Sequence, residues 1–141
     1  MGTEGQLAGI LGHEIGHVIA RHGAQRIAKP ELTEGLTGAV VVASGDARAA
    51  QAAAVIGQLV NMRYGREDEL ESDRLGVQLM ADAGYDPRAL IQVMEILREA
   101  SGGAAQPEFF STHPSPDNRI ERIQAEIDEL FPSGVPDNLR E

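Results

Sequence analysis

The sequence predicts a mainly α-helical domain in which any β-sheet is small or absent. Apolar residues recur at helical spacing, Ala, Gly, Leu and Ile are abundant, and the aromatic residues are only three Phe, two Tyr and no Trp. The 141 residues suit one domain, and no linker is long enough to divide them. We therefore expect a single domain over residues 1–141, or a fragment of a longer one.

Capping residues, prolines and glycines predict where the helices begin and end. A capping box of Thr3 and Gln6 starts a first helix that is expected to reach Lys29, where Pro30 stops it. Residues 31–63 predict two helices that are broken near Ser-Gly-Asp at 44–46, although the β-branched stretch at 38–45 also suits a short strand. Three further helices are expected: from Gly65 to Gly84, over 87–103, and over 115–131 with Ser115 or Asp117 as the cap.

Charge and composition exclude several classes of partner and site. The net charge of −10 argues against nucleic acid, because binding to a phosphate backbone relies on clustered Lys and Arg. Cysteine is absent, so any metal must be held by His and carboxylates. No apolar run reaches the roughly 20 residues of a membrane span, and no signal-peptide pattern is visible at the N-terminus.

The segment LAGILGHEIGHVIARHG, residues 7–23, places three polar residues inside an apolar helix. His13 and His17 lie four residues apart, about 40° around a helix, so their imidazoles project from one face and can bind one ion. Glu14 lies about 100° from His13 and can reach a water on that ion without ligating it. This H-E-x-x-H spacing is typical of zinc hydrolases, in which the glutamate is the general base.

A catalytic zinc usually takes three protein ligands, so a third must come from elsewhere in the chain. The acidic segment EDELESD, residues 67–73, offers candidates, although such a segment is commonly a solvated helix face. Glu69 and Asp73 share one face, which apolar residues at 70, 77 and 80 flank, whereas Glu71 turns away by about 160°. We therefore expect Glu69 to bind the metal and Asp73 to accept the outer N–H of a ligand histidine.

These segments, together with STHPSPDNRIERI at 111–123, resemble the gluzincin peptidases that include the CAAX prenyl endopeptidase, the mitochondrial inner-membrane stress protease and the bacterial outer-membrane-assembly protease. The resemblance covers residues 5 to about 125. It implies one Zn²⁺ per chain on His13, His17 and Glu69, with Glu14 as base and Asp73 behind the ligands. It also implies a polypeptide substrate and a membrane or envelope location, such as the periplasm, encoded by segments outside this chain.

The sequence departs from that family at its N-terminus, because only 12 residues precede His13. In the family, an upstream segment supplies the strand edge on which an extended substrate lies. We expect a fragment, a chain that borrows a partner's edge, or an impaired protease. Uncovered apolar surface would then favour a homo-oligomer, with the contact formed by Leu7, Ile10, Leu11 and residues 52–56.

Three further residues have two interpretations each. His113 is a turn residue by its Pro-flanked setting, but the resemblance implies a latch in which it lies over the zinc at the position of the catalytic water. In that state we expect its Nε2 to occupy the fourth ligand position. Arg119 suits either a substrate carbonyl or oxyanion, or a surface ion pair. His22 lies about 140° from His17 on a continuous helix, so a surface or packing role is expected.

The sequence thus predicts a zinc-dependent endopeptidase that hydrolyses unfolded or misassembled polypeptides with metal-activated water and Glu14 as base. The alternative is a zinc-stabilised chaperone-like or interaction module without strong catalysis. Glu14 favours the enzyme, because a structural zinc site needs no base.

Overall fold

A computed structural model describes residues 2–101, 113 and 118–141. Within that part of the chain, the helices are α1 (Glu4–Ile19), α2 (His22–Ser44), α3 (Ala47–Asp82), α4 (Arg88–Ser101) and α5 (Arg119–Leu130). The same residues contain no β-strand, only an isolated bridge between Tyr85 and Arg140. The predicted mainly α fold is confirmed.

The start of the first helix is confirmed, but its length was predicted wrongly. The Thr3 hydroxyl accepts from the backbone N–H of Gln6 at 3.2 Å, and the Gln6 side chain accepts from the N–H of Gly2 at 2.9 Å. Helix α1 then ends at Ile19, because Arg21 adopts a left-handed conformation with φ 59°. A non-glycine residue rarely takes this conformation, so the sequence did not signal the break.

Helix α2 contains Pro30, and helix α3 runs through Gly65, so both predicted boundaries are wrong. A proline inside a helix removes one hydrogen bond, and a glycine costs about 1 kcal/mol relative to alanine. Packing between α2 and α3 offsets these costs; Thr33 donates to Asn61 at 3.2 Å and Lys29 to Asp68 at 3.3 Å. Tertiary contact therefore overrides the local signals.

The predicted break at residues 44–46 is confirmed. Gly45 closes α2 with φ 61°, and the Asp46 carboxylate accepts from the N–H of Arg48 at 2.9 Å to cap α3. The stretch 38–45 is helical rather than a strand until Ser44. At the last helix, the predicted caps Ser115 and Asp117 lie outside the described residues, and Asn118 occupies the position before α5 with φ 70°.

The core lies where the C-terminal half of α3 meets α4 and α5, with α1 packed against it. Partly buried residues of α1, including Ala8 and Ile10, cover one side of this core. The buried apolar members are Val77, Met80, Ala89, Leu90, Val93, Met94, Ile123 and Ile127. This packing holds α1 and α3 side by side, and both carry the candidate site residues.

Glycines allow α1 and α3 to approach closely. A methyl group at Gly16 would lie 2.8 Å from the carbonyl oxygen of Ser72, and one at Gly12 would lie 3.2 Å from that of Gly76. Gly76 in turn faces the backbone of His13 at 3.1 Å. Larger side chains would force the two helices apart, so these glycines set the distance between the histidines and the acids opposite.

Large apolar side chains are exposed on α1 and on the hairpin of α2 and α3. Leu7 is 49% and Leu11 52% exposed, whereas Ile10 packs against the core and is wrongly assigned to the self-association surface. On the hairpin, Val55 and Ile56 are also exposed. The homo-oligomer stays a prediction. No helix in the described ranges is both long and apolar enough to cross a bilayer.

We expect Gly16→Ala to destabilise the chain by roughly 1–3 kcal/mol, because backbone rather than a flexible side chain blocks the new methyl group. Zinc affinity should fall as well, since α1 moves away from α3. The control is Gly35→Ala on exposed α2, where nothing lies within 4 Å and alanine should be neutral or stabilising. Thermal denaturation and zinc titration of both variants measure this. Equal melting temperatures would show that the glycine contact does not constrain the helices.

Candidate metal centre

Two imidazoles of α1 face each other on the side of the helix that packs against α3. The Nε2 atoms of His13 and His17 are 3.1 Å apart, and the rings meet edge to face. His13 is 1% exposed and His17 slightly more. The four-residue step along α1 brings their ring nitrogens to one point.

Helix α3 brings the Glu69 carboxylate to the same point. Its Oε2 is 3.2 Å from His13 Nε2 and its Oε1 is 3.2 Å from His17 Nε2. Glu69 is completely buried, which opposes ionisation, but hydrogen bonds from His113, His13 and His17 hold its pKa well below the usual range. A buried anion therefore lies against the two imidazoles.

His113 completes a set of four. Its Nδ1 is 3.0 Å from Glu69 Oε2 and 3.3 Å from His13 Nε2, so Nδ1 rather than the expected Nε2 faces the cluster. Its Nε2 lies 3.4 Å from Oε1 of Glu14. The ligand atoms of His13, His17, Glu69 and His113 all lie within 4.8 Å of one another.

The donor atoms of this cluster fit a zinc ion. Four ligands at zinc–nitrogen and zinc–oxygen distances of about 2.0–2.1 Å form a tetrahedron with edges of about 3.3 Å. His13 Nε2 lies 3.1 Å from His17 Nε2 and 3.3 Å from His113 Nδ1, and each ring lies 3.0–3.2 Å from its nearer Glu69 oxygen. All four ligand atoms lie within 4.8 Å of one another. Nitrogen lone pairs and a carboxylate that converge in a buried place repel one another unless a proton or a cation lies between them. The cluster has the chemistry of a cation site.

A buried ion pair lies behind His13. Asp73 Oδ1 is 2.8 Å from His13 Nδ1, and Arg119 donates to Asp73 through Nε at 2.6 Å and Nη2 at 2.8 Å. Burial disfavours a charged His13, but the hydrogen bonds with Asp73 and Glu69 outweigh it and raise the pKa of His13. Arg119 is 3% exposed, so the predicted surface location is wrong; a role toward substrate stays a prediction.

Sequence reasoning missed two contacts from α2. Arg26 donates through Nη2 to Glu69 Oε1 at 2.9 Å, and the buried ring of His22 places its Nδ1 2.9 Å from Nδ1 of His17. His22 therefore has a packing position rather than a surface one. The angle of a continuous helix does not apply, because the chain turns at Arg21 between the two histidines. Both residues lie in the short segment ARHGAQR, residues 20–26. Their side chains face the cluster because of the turn at Arg21, which the sequence did not signal.

Glu14 and Glu71 are half exposed. The side chain of Glu14 is 48% exposed and lies at the outer side of the cluster, beside His113. Glu71 is also 48% exposed, and its Oε2 is 3.2 Å from His22 Nε2. Glu69 and Asp73 are buried while Glu71 is not, as the helical periodicity of α3 predicted.

The sequence model of peptidase family M48 matches residues 1–127. The chain belongs to peptidase family M48. This confirms the resemblance drawn from the three sequence segments. No solved structure matches the chain.

Proteases from bacteria and mitochondria are similar to this member of family M48. The beta-barrel assembly-enhancing protease of Escherichia coli K12 is 32% identical over 94% of the chain, which covers 29% of that protein. The mitochondrial metalloendopeptidase OMA1 is 32% identical in Bos taurus, over 92% of the chain and 26% of the relative. The OMA1 of Saccharomyces cerevisiae is 33% identical over 83% of this chain, which covers 35% of that relative. The chain thus spans roughly a third or less of these relatives.

We expect Glu69→Ala to weaken zinc binding by more than the roughly 10–100-fold that loss of an outer partner costs, because it removes a direct donor. Zinc should then no longer raise the melting temperature. The comparison is Glu71→Ala, two residues away on α3, which removes no direct donor and should cost at most the roughly 10–100-fold of an outer partner. Competition with a chromophoric chelator measures both. If Glu71→Ala lost zinc while Glu69→Ala kept it, the assignment of the third ligand would be wrong.

Proposed function

We propose that the chain is the catalytic part of a zinc-dependent endopeptidase. His13, His17 and Glu69 would hold the zinc, and Glu14 would be the general base. The observation that carries this proposal is the buried convergence of two imidazole nitrogens and one carboxylate, with a half-exposed glutamate beside them. A structural zinc site needs no such glutamate beside its ligands.

The donor set favours zinc over magnesium and calcium. Two imidazoles and one carboxylate suit a small borderline ion, whereas magnesium and calcium prefer oxygen ligands alone. When bound, zinc would act as a Lewis acid that polarises the peptide carbonyl and makes water easier to deprotonate. The negative charge of Glu69 would balance part of the ion's charge inside the buried region.

Glu14 would transfer the proton in this reaction. Its half-exposed carboxylate can accept a proton from the attacking water as that oxygen bonds to the carbonyl carbon. The same carboxyl can return a proton to the amide nitrogen as the C–N bond breaks. Glu14 follows His13 directly on α1, so one helix positions the base and two of the three metal ligands.

We propose a resting, closed state in which His113 is the fourth ligand. Its Nδ1 faces Glu69 and His13, and its Nε2 lies 3.4 Å from Glu14, so one ring blocks both the fourth ligand position and the base. Substrate hydrolysis would require this ring to leave.

The substrates are proposed to be polypeptides, in particular unfolded or misassembled ones. The similar proteins are named as a beta-barrel assembly-enhancing protease and as mitochondrial metalloendopeptidases, which supports a role in protein quality control at a membrane or in the envelope. Metallopeptidase family membership supports the reaction class.

A second candidate is a zinc-stabilised module that binds polypeptides without cleaving them. The exposed apolar side chains between α2 and α3 favour it, since such surfaces commonly bind other chains. Leu32, Leu36 and Ile56 are each 60% exposed or more. Binding of an unfolded protein that persists with no cleavage at any zinc concentration would support this candidate over the enzyme.

We expect Glu14→Gln to lower hydrolysis by about 10²–10⁴-fold with unchanged zinc content, because the amide keeps the shape of the side chain but cannot accept a proton. Casein and a quenched peptide are suitable substrates, with and without chelator. The control is Glu95→Gln, an exposed glutamate on α4, which should leave turnover unchanged. Near-normal turnover of Glu14→Gln would remove Glu14 from its role as the base.

A further inference from the structure

His22 is a buried polar residue to which the proposed mechanism assigns no role. It is the first residue of α2, 1% exposed, and lies directly behind the cluster because the chain turns at Arg21. Its Nδ1 is 2.9 Å from Nδ1 of His17, the ring nitrogen that points away from Glu69. A hydrogen bond between two ring nitrogens requires one of them to donate and the other to accept.

The surroundings of His22 decide which nitrogen carries the proton. Its Nε2 is 3.2 Å from Oε2 of Glu71 and 3.8 Å from Oδ1 of Asp68. Carboxylates only accept, so a neutral His22 ring carries its hydrogen on Nε2 and leaves a lone pair on Nδ1. That lone pair accepts the hydrogen on Nδ1 of His17.

The same hydrogen bond fixes the tautomer of His17. With its hydrogen on Nδ1, the ring presents the Nε2 lone pair, which is 3.1 Å from His13 Nε2 and 3.2 Å from Glu69 Oε1. In the other tautomer, a hydrogen would point into the cluster and exclude a metal. His13 is oriented in a different way, by the carboxylate of Asp73.

We propose that His22 is a positioning residue of the metal centre, which accepts the Nδ1 hydrogen of His17 and so keeps the Nε2 lone pair directed at the ion. This inference rests on the proposed zinc site. The outer partner of His17 is then an imidazole that is itself anchored on Glu71. The outer partner of His13 is a carboxylate that is paired with Arg119.

The geometry distinguishes this role from simple packing. An apolar side chain could fill the space of the ring, but it would leave the Nδ1 hydrogen of His17 without this acceptor. Ser72 Oγ, 3.4 Å from His22 Nδ1, is a further polar neighbour of the same nitrogen. Loss of an outer partner of a metal-bound histidine typically lowers metal affinity by about 10–100-fold.

The test compares three substitutions of His22. Asn places an amide oxygen near the position of Nδ1, Gln places its amide near the position of Nε2, and Leu fills space without an acceptor. Each chain is titrated with zinc chloride against a chromophoric chelator, and its melting temperature is measured without metal. Cobalt substitution adds an absorption spectrum that reports the ligand geometry.

We expect His22→Leu and His22→Gln to bind zinc about 10–100-fold more weakly than the unmodified chain, and His22→Asn to recover most of that loss. If His22 only filled space, the zinc affinities of the variants would follow their metal-free melting temperatures. We expect the two rankings to differ. If His22→Leu does not fold, the Asn and Gln variants still decide, since they carry the same amide and differ by one methylene group, which moves the acceptor.

Equal zinc affinity of the Asn and Gln variants, or affinities that follow stability, would overturn the role of His22 while the unmodified chain still bound zinc. An unmodified chain that bound no zinc would overturn the proposed metal site and this inference with it. The unmodified chain therefore separates the two failures.

Discussion

The close contact between α1 and α3 is the constraint on which the candidate site depends. Glycines at 12, 16 and 76 let the two backbones approach until a single methyl group would clash. Only at this separation do the imidazoles of His13 and His17 reach the carboxylate of Glu69 at 3.2 Å. The core formed by α3, α4 and α5 fixes the position of α3, and with it the position of Glu69 relative to α1.

The second requirement is that each donor presents a lone pair and that each buried charge has a partner. Asp73 orients His13, and Arg119 pairs with Asp73 so that this anion is not alone in the interior. On the other side of the cluster, His22 is proposed to accept the Nδ1 hydrogen of His17 and so to direct its Nε2 lone pair at the ion. The residues behind the cluster therefore come from three different helices, with His22 on α2, Asp73 on α3 and Arg119 on α5.

Local patterns sufficed for the parts of the fold and site that depend on one helix. The H-E-x-x-H spacing placed two histidines on one face, and the periodicity of α3 separated buried Glu69 from exposed Glu71. The cap at Thr3 and the break near Gly45 could also be predicted, because each depends on hydrogen bonds and backbone angles of residues close together in the sequence.

Features that depend on several helices could not be predicted. The turn at Arg21 has no glycine or proline at its left-handed residue, and Pro30 lies inside α2 because packing against α3 offsets its cost. The burial of Arg119 and the contact of His22 with His17 follow from those packings. Helical angles computed along a single axis fail once the chain changes direction.

The central claim is that imidazoles from α1 and the carboxylate from α3 converge on one zinc ion. X-ray absorption of the zinc-loaded chain tests it most directly, with His113→Ala measured beside it. We expect four nitrogen and oxygen donors at about 2.0–2.1 Å, with three imidazoles that fall to two in the variant. A zinc shell with fewer than two imidazoles, or a six-coordinate shell of oxygens, would contradict the claim.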